Sequence, residues 1–162
     1  MTAVMDRKET TGTPVWEEPL VALYRERYAP MVRLAYLLTS DRAVAEELVQ
    51  DAFVAVHRNW ARATQPSAYL RTAVVNNCRS WGRRKVMEIE RRPRPAEPAT
   101  LVADEMWDIL QTLPTRQRAA VVLRFYEDLP DRQIAELLGC REGTVRTTIH
   151  RALAALRKEI SR

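Results

Sequence analysis

Residues 131–158 read DRQIAELLGCREGTVRTTIHRALAALRK, and this stretch decides the fold. A short helical run over 131–138 ends at Gly139, and a longer, basic helical run covers about 142–158. A short helix, a turn containing Gly and a longer basic helix form the helix-turn-helix pattern. On a wheel at about 100° per residue, Val145, Ile149, Ala152, Leu153 and Leu156 fall on one side of the second helix. Arg146, Thr147, His150 and Arg151 fall on the other. An apolar back packed on the preceding helix would push those four polar residues into a DNA major groove. There Arg can donate two bonds to guanine, and Thr can bond a base edge or touch a thymine methyl. Any amphipathic helix has a polar outer face. The short helix and the turn Leu138-Gly139-Cys140-Arg141 before it favour the base-reading interpretation.

Upstream of this unit, Leu129-Pro130 marks a break, preceded by helices expected over about 116–126 and 104–113, the latter stopped by Pro114. Pro93, Pro95 and Pro98 lie within six positions, a density that cannot continue a helix. Residues 93–103 therefore read as a semi-rigid linker between a lobe at 20–92 and another at 104–162. Residues 1–19, with two prolines, a glycine and mixed charge, read as a frayed arm. The first lobe holds helices expected over 20–38, with Pro30 as a break or start, and over 42–60, capped by Asp41 or Ser40. A third is expected from Ser67, as its cap, to about residue 84. No stretch alternates as a strand would. The expected fold class is all-α: two small helical domains joined by a Pro-rich linker.

Charge is uneven. The chain carries 26 Lys and Arg against 21 Asp and Glu, a net +5. Residues 79–94 alone hold seven basic and two acidic groups, and residues 132–162 hold seven and three. On the third helix Leu70, Ala73, Val74, Asn77, Cys78 and Trp81 share one face, with Trp81 expected in the core. Arg71, Thr72, Asn76, Arg79 and Arg83 lie opposite, with Ser80 at the margin and Arg83-Arg84-Lys85 extending the stripe. Cations for phosphates beside an amide able to read a base edge point to nucleic acid. Glu46, Glu47, Gln50 and Asp51 on the second helix cannot face DNA, so they point to water or to a basic protein partner.

Several classes are excluded. No run of 18 apolar residues could span a membrane, and the N-terminus has no apolar stretch after its charges, so a cytoplasmic protein is expected. Cys78 and Cys140 lie too far apart in sequence for a metal pair and read as small apolar residues. His57 and His150 have no Cys or second His at ligand spacing, so no metal and no cofactor are expected. An enzyme acting on DNA, such as a recombinase, needs a partnered nucleophile or clustered metal-binding carboxylates. The acidic residues here share one helix face without such partners, so no catalysis is expected.

Three segments resemble known motifs. Residues 45–53, AEELVQDAF, are similar to the polymerase-binding motif of the extracytoplasmic-function (ECF) sigma factors of the sigma-70 family. Residues 69–76, YLRTAVVN, with Arg79-Ser80-Trp81, resemble that group's segment for the −10 promoter element. Residues 113–118, LPTRQR, and 134–146, IAELLGCREGTVR, resemble its −35-binding domain. The resemblance implies a bacterial transcription initiation factor with region 2 at 20–92 and region 4 at 104–162. Glu47, Gln50 and Asp51 would dock on the clamp helices of the polymerase β′ subunit, and the second lobe would meet the flap of β. The third helix, through Arg71, Thr72, Asn76, Arg79, Ser80, Arg83 and Arg84, would hold the melted −10 element, aided by residues 61–66. Arg141, Thr144, Arg146, Thr147, Thr148, His150 and Arg151 would serve the −35 duplex. An anti-sigma partner is implied for many members.

Eleven linker residues span at most about 35–40 Å, and ten base pairs span about 34 Å, so both readers could sit on one promoter. Two departures from the family pattern stand out. Pro130 and Arg141 occupy positions where a small hydroxyl residue often caps, so a weak start to the recognition helix is expected, with Arg141 free for a phosphate. Thr148 stands where many relatives carry Arg, so the −35 preference is expected to differ. The competing interpretation, a stand-alone dimeric helix-turn-helix regulator, leaves the acidic helix and the first lobe without a role.

Overall fold

The computed structural model describes residues 17–89 and 105–162, and every regular element among them is helical. The linker 93–103 and most of the arm at 1–19 lie outside the described residues. The arm does not reach position 19: α1 spans Glu17–Thr39, so Glu17, Glu18 and Pro19 form its first turn. Two carboxylates at a helix N-terminus complement its dipole, and Pro tolerates a first turn. Pro30 lies inside α1 and does not break it. A mid-helix proline costs about 3 kcal/mol. Met31, Leu34 and Ala35 just beyond it are fully buried, and Leu20, Leu23 and Tyr28 before it pack on the same core. Each buried large apolar side chain is worth about 1.5–3 kcal/mol, so packing on both sides of the proline outweighs its cost.

Helix α2 spans Arg42–Arg58, and Asp41 caps it by accepting from the Val44 N–H at 3.1 Å. Helix α3 spans Pro66–Ile89, with Pro66 itself in the first helical position. Ser67 is therefore inside the first turn and not its cap, because Gln65 already supplies the carbonyl that accepts from Tyr69 N–H at 3.0 Å. α1, α2 and α3 pack mutually into the first lobe. Ala45, Leu48, Val49, Ala52 and Val56 meet Leu70, Val74 and Cys78 in its interior, and Asn77 Nδ2 donates to the Leu48 carbonyl at 3.1 Å. Burial pushes the Cys78 thiol up to about 12, so it behaves as an inert apolar group.

The second lobe contains α4 (Glu105–Gln111), α5 (Thr115–Val121), a π-helical turn (Val122–Tyr126), α6 (Asp131–Leu138) and α7 (Glu142–Ile160). The sequence suggested one helix through 116–126. Instead the backbone widens after Val121, and Glu127 N–H bonds the Val122 carbonyl five residues back at 3.2 Å. Helix α6 ends where expected. Gly139 takes the left-handed conformation at φ 63°, and Cys140 N–H returns to the Ala135 carbonyl at 3.0 Å. Such a position favours Gly because a Cβ clashes there with the following carbonyl. A Cβ at 139 would also approach Arg79 Nη2 to 3.3 Å. Gly139→Ala is expected to lower stability by about 1–2 kcal/mol, read as a lower denaturant midpoint.

The two lobes are not separate beads. One continuous core links Leu34 and Val75 of the first lobe to Trp107, Leu123 and Ile134 of the second. Tyr36 stacks on Trp107, with ring centroids 4.4 Å apart and planes 18° from parallel. Ser40, itself left-handed at φ 58° just past α1, donates from Oγ to Gln111 Oε1 at 2.6 Å. A smaller cluster of Leu113, Val121, Ala152 and Leu156 closes the far end of the second lobe.

Candidate functional site

The chain presents three polar faces on this scaffold. The first is on α2. Val44, Leu48, Ala52 and Val56 turn inward, which leaves Glu47, Gln50 and Asp51 exposed together. Their side chains make no hydrogen bond or ion pair with other described residues. Glu46, in contrast, is tied to Arg42 at 3.1 Å. Beside the acidic group Val54 is 47% exposed, so the face joins carboxylates to an apolar spot.

The second face is on α3. Thr72, Asn76, Ser80, Arg83 and Arg84 are exposed, as the helical wheel requires. Two members of the stripe are not. Arg79 donates to the carbonyls of Leu137 and of Leu138, the latter at 3.2 Å. It thereby satisfies the last carbonyls of α6, which have no partner within their own helix. Arg71 pairs with Glu127 at 3.7 Å. Burial pushes the Glu127 carboxyl up, while Arg71 and Arg27 pull it down. Both arginines are thus engaged by the second lobe, a relation that a wheel drawn on one helix cannot reveal. Trp81 is half-buried, at the edge of the core, with Lys85 Nζ 4.6 Å from its ring centroid.

The third face is on α7. Val145, Ile149, Ala152 and Leu156 are buried against α5 and α6, and Arg146, Thr147, His150 and Arg151 point outward. Arg141 and Thr144 are exposed at its start, and the Arg141 side chain makes no cap hydrogen bond. Thr148 bonds back to the Thr144 carbonyl at 2.7 Å and Thr147 to that of Gly143 at 3.0 Å. Arg146 is held by Asp131 at 3.2 Å and by Glu142 at 3.4 Å. Asp131 also receives Arg124 at 2.6 Å, locking the π-helical turn to the start of α6. Sequence reasoning missed this Arg124–Asp131–Arg146 chain and the role of Glu127. The only signal was the charge of residues outside the two basic stripes.

Among the described residues, no cluster of three or more His, Cys, Asp or Glu could hold a metal ion, and no helix is long and apolar enough to cross a membrane.

Comparison with known proteins finds two family matches along the chain. The family Sigma-70 region 2 matches residues 23–86, and Sigma-70, region 4 matches residues 103–156. The RNA polymerase sigma-E factor of Streptomyces coelicolor is 33% identical over 84% of this chain and 82% of its own. The ECF RNA polymerase sigma factor SigE of Mycolicibacterium smegmatis is 32% identical over 99% of this chain and 68% of its own. Among solved structures, the sigma factor RpoE of Bartonella quintana, crystallised with the anti-sigma factor NepR, shares the fold. Its TM-score is 0.68 at 22% identity, over 90% of this chain and 96% of that one. The chain therefore belongs to the sigma-70 family of RNA polymerase sigma factors, within its extracytoplasmic-function group.

Proposed function

We propose that this chain is a transcription initiation factor that binds core RNA polymerase and directs it to specific promoters. The observation that carries this reading is the presence of one acidic face and two cationic helical faces on a single chain, in the order of the family's matches. Glu47, Gln50 and Asp51 grip the polymerase β′ clamp helices, and the second lobe meets the β flap. Region 2, at 20–92, uses Thr72, Asn76, Ser80, Arg83 and Arg84, joined by Arg71 and Arg79 once these leave the second lobe, to hold the melted −10 strand. Region 4, at 104–162, sets α7 in the −35 major groove. There Arg141, Thr144 and Thr148 contact the backbone or its margin, and Arg146, Thr147, His150 and Arg151 face the bases. The protein performs no chemistry of its own and works in the bacterial cytoplasm. A dimeric regulator gains nothing from the exposed carboxylates of α2.

The test is in vitro transcription with core polymerase. Start sites that map to defined promoters only when both chain and core are present are the expected result. Unaided binding to a palindrome with no promoter-specific transcript would replace this reading with the dimeric regulator. Within the −35 face, Arg151 is exposed and unpaired among the described residues, whereas Arg146 must first leave Asp131. Arg151→Ala is expected to cost about 1–3 kcal/mol on the preferred duplex and to relax preference at one base. Equal weakening on all duplexes, measured by fluorescence anisotropy with the holoenzyme, would make Arg151 a phosphate contact.

A further inference from the structure

A cavity of about 610 Å³ lies where the two lobes meet. Five cations line it: Arg79, Arg83 and Lys85 from α3, and Arg116 and Arg118 from α5. No described carboxylate lines it, and the rest of its wall is mainly apolar, Trp81 included. Arg118 is the unusual member. It is only 8% exposed, its Nε has no hydrogen-bond partner among the described residues, and its Nη1 donates to Gln111 Oε1 at 3.4 Å. Burial pulls its pKa down. Arg79 is lowered too, by burial first and then by the positive charge of Arg83 and Arg116.

Bringing the lobes together therefore gathers like charges from both, which is unfavourable unless an anion neutralises them. Guanidinium groups bond phosphate oxygens in pairs, and such charge-assisted bonds are stronger than neutral ones. The apolar wall and the indole of Trp81 suit a ligand with a flat, weakly polar body.

We propose that this cavity binds a nucleoside polyphosphate, whose phosphate groups bridge the cations of α3 to those of α5 and hold the two lobes closed. Because Arg79 and Arg83 also belong to the promoter-facing stripe, the bound ligand competes with engagement of the −10 strand. That consequence rests on the proposed function, whereas the binding itself does not.

The full chain would be titrated with ATP, with inorganic tripolyphosphate and with sulfate at matched ionic strength. Thermal unfolding and calorimetry would be followed without polymerase. A ligand at a hundredfold excess over its Kd raises the midpoint of a chain this size by about 5 °C or more. ATP is expected to do so, to bind more tightly than tripolyphosphate, and to exceed sulfate greatly. Arg116→Gln and Lys85→Gln leave the acidic docking face of Glu47, Gln50 and Asp51 untouched, and each is expected to weaken ATP at least about tenfold. Arg118→Gln should do the same if it folds. No midpoint shift with ATP, or one that survives in the Arg116→Gln, Lys85→Gln double variant, overturns the site. Equal affinity for tripolyphosphate overturns the nucleoside part. Core-polymerase binding, measured without nucleotide, reports separately on the family reading and is expected to be unchanged in the double variant.

Discussion

Asp51→Arg is expected to weaken binding to core polymerase by about thirtyfold or more, with the thermal midpoint of the isolated chain unchanged. The size follows from the loss of one member of an interfacial charge pair, which costs about 2–5 kcal/mol when its partner is left desolvated. The unchanged stability follows from the position. Asp51 is exposed in the middle of α2, makes no ion pair with another described residue, and lies outside the buried row of Leu48, Ala52 and Val56. Surface changes of that kind move stability by about 0.5 kcal/mol or less, and Arg is a better helix former than Asp. Reversal at Gln50 should act in the same direction, more weakly, because a neutral amide has less charge to lose. Binding would be read by competition for core enzyme, with circular dichroism melting as the control. Unchanged affinity in Asp51→Arg would remove the docking assignment while leaving the family membership untouched.

What the sequence disclosed and what it hid divide along a physical line. Local devices were legible. Asp41 before an apolar-periodic run is a cap because its carboxylate reaches an otherwise unpaired N–H, and Gly139 ends α6 because the chain turns left-handed there. The burial of Val145, Ile149, Ala152 and Leu156 follows from helical period alone. So does the exposure of Glu47, Gln50 and Asp51. Contacts between the lobes were not legible. Arg79 reads on a wheel as a free cation, yet it caps α6 from 58 positions away. Val75 lies off the apolar row of α3 and is nonetheless buried, 1% exposed. Pro30 reads as a break, and only the packing of residues on both sides of it keeps α1 continuous. The π-helical turn at Val122–Tyr126 leaves no composition signal either. Its geometry serves Glu127 and Arg124, whose partners lie on other elements.

The same division explains why Trp107→Ala is expected to have the largest effect on shape. Trp107 is 8% exposed and stacks on Tyr36, the largest fully buried side chain of the first lobe. It sits on α4, a helix of seven residues. Truncating a buried Trp costs about 3–5 kcal/mol, and here much of that is lost from contacts between lobes. Leu123 and Ile134 also join the first lobe's core, and the polar links across the boundary are Ser40 to Gln111, Arg79 to the end of α6, and Arg71 to Glu127. Each polar link is worth about 0.5–1.5 kcal/mol net, so losing the stack removes a contribution as large as most of the polar links combined. The variant is therefore expected to unfold in two steps and to show a larger radius of gyration by small-angle X-ray scattering. A single, equally sharp transition with an unchanged radius would mean that the remaining contacts suffice. Separation releases Arg71 and Arg79 from the second lobe, so Trp107→Ala should bind single-stranded −10 sequence more tightly than the parent chain while losing stability. A merely destabilised protein would lose both, and that opposite sign makes the measurement decisive for the coupling between lobe closure and promoter capture.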